Sequence, residues 1–125
     1  MIKLKYFELS EFNSPDQENS GVNMDHTFLR MLDKAREIAG ISFKINSGYR
    51  SEAHNLRVGG VPKTTSNRGS SHLYGFAADI SCTTSNNREI IVRSLIKAGF
   101  TRLGVAKTFI HVDNDPNKED ALWLY

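Results

Sequence analysis

Residues 70–80 read Ser70-Ser71-His72-Leu73-Tyr74-Gly75-Phe76-Ala77-Ala78-Asp79-Ile80, and the second half of this run alternates like a half-buried strand. On a strand from Phe76 to Cys82, Phe76, Ala78 and Ile80 face one side, while Ala77, Asp79 and Ser81 face the other. The first face suits a core. The second carries a carboxylate beside a small alanine. Gly75 allows the chain to turn, so that His72, seven residues before Asp79, comes back toward it.

Phe109-Ile110-His111-Val112-Asp113 repeats this logic near the other end of the chain. Ile110 and Val112 suit the core, and His111 and Asp113 project together from the opposite face. Residues two apart on a strand are separated by about 6.5–7 Å, so one can hold a metal while its neighbour reaches a water on that metal. His72, Asp79 and His111 form a three-ligand nitrogen and oxygen set. Catalytic zinc sites keep three protein ligands and leave a fourth position for water, which implies hydrolysis.

Around these segments, Phe28, Met31, Leu32, Ala35 and Ile38 recur at three and four within Met24–Ala39, which predicts a helix stopped by Gly40. A second helix is expected over Asn87–Ala98, with Ile91, Val92, Leu95 and Ile96 inward, Gly99 after it, and Asn86 with Glu89 as a capping pair. Ser42–Asn46, Phe76–Cys82, Arg102–Ala106 and Phe109–Asp113 have strand character. Mixed rather than alternating helices and strands predict a small α+β domain, its sheet mainly antiparallel and its helices packed on one face. Gly59–Ser71, rich in Gly, Ser, Thr and Pro, is expected to be a long, functional loop.

The chain of 125 residues is read as a single domain over positions 1–125. At this size roughly 65–70% of the unfolded surface is buried, so 39% apolar content fills a core without disulfides. The one cysteine, Cys82, cannot form an internal bridge and is read as a small buried hydrophobe. A formal charge of +2 is too small for a nucleic-acid-binding face. Apolar runs fall far short of the ~20 residues that span a bilayer. The opening MIKLKYFELSEF lacks the apolar core of a secretory signal, so any export is expected to use another route.

Three segments together resemble a known family. SSHLYGFAADI matches the S-x-H-x-x-G-x-A-x-D-I signature of M15-type zinc D-Ala-D-Ala carboxypeptidases and peptidoglycan endopeptidases. Gly48-Tyr49-Arg50-Ser51 is similar to their arginine segment, and FIHVD to their third-ligand strand. The likeness spans Leu9–Trp123. It implies a hedgehog/DD-peptidase-like fold, Zn²⁺ on His72, Asp79 and His111, and a substrate site lined by Arg50 and Ser70. A planar guanidinium suits holding a carboxylate or stabilising an oxyanion. Several members carry an acid three residues before the third ligand, where this chain has Thr108. Asp113, in the H-x-D arrangement of one branch, is therefore expected to serve as general base, its alternative role being to orient a ligand histidine.

The resemblance implies a zinc metallopeptidase cutting peptidoglycan stem peptides at the cell wall, as carboxypeptidase or endopeptidase; the small size and the lack of a signal suit a phage-type endolysin, and the chain is expected to be a monomer. The alternative is a non-catalytic, zinc-stabilised wall- or protein-binding module of the same fold. Tyr74 and Trp123 are candidates for a substrate groove, with packing as their other role. His26 and His54 are left outside the site, and Arg57, Lys63 and Arg68 are read as a solvated loop.

Overall fold

A computed structural model of the chain describes residues 2–125. Three α-helices and five strands follow one another as α1 (His26–Ala39), β1 (Ile45–Ser47), α2 (Glu52–Arg57), β2 (Ala77–Ser81), α3 (Ser85–Lys97), β3 (Arg102–Val105), β4 (Phe109–Asp113) and β5 (Ala121–Leu124). Short 3-10 turns cover Leu9–Phe12, Ser20–Asn23 and Ser71–Tyr74. The strands form one sheet in the order β1-β2-β4-β3-β5. Its first three pairings are antiparallel, and β5 joins parallel to β3. The fold is α+β with a mainly antiparallel sheet, as expected from the sequence.

Alternation sorts the two faces. Ala78, Ile80, Leu103, Ile110 and Val112 enter a core filled from the other side by Phe28, Leu29, Leu32 and Ala35 of α1 and by Ile91 and Leu95 of α3. Both long helices thus cover one face of the sheet and leave the face bearing Asp79 and His111 free of them. α1 starts two residues later than its periodicity predicts, because the Asp25 side chain caps it by accepting from Phe28 N at 2.8 Å. α3 is also offset. Thr84, not Asn86, caps it through a bond from Asn87 N at 3.2 Å, and the turn contains Asn86 within the helix.

Two inward assignments are corrected. Ile38 and Ile96 are exposed, at 38% and 54%, because each lies at the rim of its helical stripe, while Leu29 and the small Ser94 occupy buried positions instead. β4 has the expected bounds, β2 is one residue shorter at each end and β3 one shorter at its end, and β1 differs most, its pairing with β2 being irregular between Ile45 and Ser47. The parallel strand β5 and the short helix α2 were not among the expected elements.

Candidate metal centre

Register places the site residues in one transverse row. Ser47 pairs with Asp79, Asp79 with His111, His111 with Gly104, and Gly104 with Trp123, crossing all five strands. Side chains paired this way share a face and lie within contact distance. Gly104 has a packing reason to lack a side chain: a Cβ there would sit 2.5 Å from the indole nitrogen of Trp123. The indole takes up that space and approaches His111, centroid to centroid 5.4 Å.

His72 arrives from outside the sheet. Ser70 caps the 3-10 turn Ser71–Tyr74 by accepting from His72 N at 3.2 Å, and Gly75 ends the turn at φ 75°, a left-handed conformation that glycine adopts without strain. The chain then reverses into β2. One ligand atom from each of His72, Asp79 and His111 lies within 4.8 Å of the others.

The donor chemistry decides whether a cation fits. His72 Nδ1 lies 2.7 Å from the Gly48 carbonyl oxygen, which can only accept, so Nδ1 carries the proton and Nε2 presents a lone pair. That Nε2 is 3.4 Å from Asp79 Oδ1. On the other side His111 has a carboxylate on each ring nitrogen, Asp113 Oδ2 at 2.7 Å from Nε2 and Asp79 Oδ1 at 3.0 Å from Nδ1. Without an ion both nitrogens can donate, and a cation beside Asp79 would replace the Nδ1 proton while Nε2 keeps donating to Asp113. Once the proton between His111 Nδ1 and Asp79 is given up, three lone-pair atoms point at one another in a buried pocket, an arrangement that a cation neutralises. Zinc bonds of about 2.0–2.2 Å in tetrahedral geometry set neighbouring ligand atoms about 3.4 Å apart, in line with the 3.4 and 3.0 Å separations. The residues present fit zinc.

Protonation follows from the same contacts. Burial above all holds His72 below its usual imidazole range, against the pull of Asp79. Burial also opposes charge on His111, but hydrogen bonds with Asp113 and Asp79 outweigh it and raise the group. For Asp79, burial is overcome by His111 and His72, and the carboxyl is held well below its ordinary range. Asp113 is lowered likewise, with burial opposed by His111 and Arg102.

Arg50 is braced on three sides: Nε donates to Ser47 Oγ at 2.9 Å, Nη1 to Asn55 Oδ1 at 3.3 Å and Nη2 to Asp79 Oδ2 at 3.2 Å. Two of its five N–H groups are not engaged by these bonds. Arg50, Ser70, His72, Asp79, His111, Asp113 and Trp123 all line one cleft of about 390 Å³, within the size range of ligand sites. Tyr74 is not among the lining residues. Its hydroxyl donates to Arg68 O at 2.7 Å, and the Arg68 guanidinium lies over its ring at 4.2 Å, so it anchors the long loop instead.

Asp113 is 1% exposed, and both its oxygens are engaged. Oδ2 meets His111, while Oδ1 accepts from Arg102 Nε at 2.7 Å and Asp115 N at 3.2 Å. Arg102 and Lys118, both lining the cleft, were not singled out from the sequence; they reach it only through the pairing of β3 with β4 and the return of the chain toward β5. Buried Asn55, which links Arg50 to the Val61 carbonyl, was missed because α2, on which it sits, was not an expected element.

No curated protein matches the chain. A sequence model described as Peptidase M15 matches residues 5–113, which takes in all three candidate ligands and stops short of β5. This match supports a peptidase, and the His–Asp–His cluster is compatible with a zinc metallopeptidase. The chain belongs to the Peptidase M15 family.

Proposed function

We propose that the chain is a zinc-dependent peptidase acting on peptidoglycan stem peptides, with His72, Asp79 and His111 as metal ligands. The observation that carries the reading is the convergence of these three ligand atoms, each with a fixed partner behind it, on a cleft that also holds an arginine. Zinc bound there would supply Lewis acidity and a water acidified toward neutral pH.

The remaining roles belong to the chain. His72 is held in its Nε2-ligating form by Gly48 O, and His111 in its Nδ1-ligating form by Asp113. Arg50, anchored by Ser47 and Asn55, keeps spare N–H donors for a peptide carboxylate, or for the scissile carbonyl oxygen, which gains charge as its carbon is attacked. The Ser70 hydroxyl keeps a proton to donate to bound peptide. Of the two roles open to Asp113, its contacts favour orientation of His111. To act as base it would have to release the His111 Nε2 hydrogen bond.

That last point gives the second reading its support. Asp79 and Asp113 are the cleft's carboxylates among the described residues, and both are engaged, as befits a zinc-stabilised binding module that does not turn over. Purified cell-wall sacculi and defined stem peptides, incubated with zinc-loaded protein, separate the two. Release of D-Ala or of shorter muropeptides, lost in His111→Ala, supports the peptidase; peptide binding with no cleavage supports the module.

A further inference from the structure

We propose that Lys118 anchors a carboxylate of the bound peptide and makes the cleft selective for anionic peptides. The identity of the ligand rests on the peptidase reading above.

Lys118 lies in the segment between β4 and β5 and lines the same cleft as the three ligands. Its side chain is 33% exposed. Nζ donates to Ser71 Oγ at 2.8 Å and to Gly69 O at 3.2 Å, two neutral acceptors that fix the ammonium in place and use two of its three N–H bonds. Among the described residues one carboxylate lies within 4.0 Å of it: Asp115 Oδ2, at 3.7 Å, which accepts from Ser71 Oγ at 2.8 Å.

The other cleft cations differ. Arg102 has Asp113 at 2.7 Å, and Arg50 has Asp79 at 3.2 Å. Lys118 is therefore the cleft cation with the weakest ion pair, and it is positioned before ligand arrives, so little side-chain entropy is lost on binding. Three cations face Asp79 and Asp113 in the cleft, with Asp115 behind Lys118, and a bound divalent ion would leave this group net positive. Field lines in such a cleft are focused on an incoming anion. The carboxylate has two sources in a peptide, its C-terminus or an acidic side chain.

Calorimetric titration of the zinc-loaded chain with two peptide pairs tests this: acetyl-Ala-D-Ala-D-Ala against its C-terminal amide, and acetyl-Ala-D-Glu amide against acetyl-Ala-D-Gln amide. The expected result is that one acid binds about tenfold or more tighter than its amide, as for a charge-assisted hydrogen bond. Lys118→Met should abolish that ratio and Lys118→Arg retain it, with zinc affinity equal in all three proteins. The preferred pair identifies the carboxylate. Equal binding of acid and amide by the unaltered chain, or a ratio that survives Lys118→Met, would overturn the proposal. So would a Lys118→Met protein that loses acid and amide alike and binds zinc more weakly, the signature of a mere brace for Ser71. Failure of the peptidase reading is distinct: acid and amide would be discriminated in binding, yet neither cut.

Discussion

At His111 the two ring nitrogens have different partners, and the division of labour follows from that. Nε2 is tied to Asp113, which Arg102 holds in turn, and Nδ1 meets Asp79, the side on which the proposed cation would sit. An asparagine at position 113 removes the charge that fixes this tautomer and strengthens the ligand. Asp113→Asn is expected to weaken zinc binding about 10–100-fold, read by competition with a chelating dye. Unchanged zinc affinity with lost peptide cleavage would instead return Asp113 to the base role. The shared face of His111 and Asp113 was legible in FIHVD, because strand alternation is a local property. Arg102 was not, since its partnership with Asp113 exists only once β3 pairs with β4 in register.

Among the elements, α2 shows how a short helix is held. Asp16 accepts from Ser14 Oγ at 2.6 Å, from Ser51 Oγ at 2.7 Å and from Arg57 Nη2 at 3.1 Å, tying the preceding loop to both ends of the helix. The Ser14 and Ser51 hydroxyls lower its carboxyl from 3.8 to about 2. A carboxyl lowered by folding stabilises the native state above its unfolded value and loses that contribution as pH falls through the folded one. Asp16→Asn is therefore expected to be less stable than the parent in urea near neutral pH, with the gap shrinking below about pH 4. A gap constant from pH 6 to 3 would contradict the charge-based account.

The strand pair β3–β5 gives a second test. Gly104→Ala puts a methyl into the Trp123 ring, and overpacking of this kind costs about 1–3 kcal/mol. Trp123 is the chain's only tryptophan, so its emission spectrum should shift in that variant; an unaltered spectrum would show the ring does not rest there. β5 itself was illegible because Leu122 and Leu124 are exposed and the strand is built by parallel pairing, with no buried alternation to mark it. The cap of α3 was misplaced because Thr83-Thr84-Ser85-Asn86-Asn87 offers consecutive residues able to cap.

Across the whole molecule, the sheet joins a dry apolar side to a polar site. Ile110 is fully buried behind His111, and Ile110→Ala is expected to cost about 2–5 kcal/mol in denaturant unfolding. No helix among the described residues is long and apolar enough to cross a membrane. An ion that binds only the folded state raises its stability by mass action, about 4 kcal/mol at a thousandfold excess over the dissociation constant. The melting temperature should therefore rise with zinc and fall back with chelator.

Zinc content per chain, determined by elemental analysis after loading and dialysis of the parent protein and of His72→Ala, Asp79→Ala and His111→Ala, tests the central claim most directly. One zinc per chain in the parent, and a small fraction of that in each variant, is the expected result. A parent that retains no zinc, or variants that each retain a full equivalent, would contradict it.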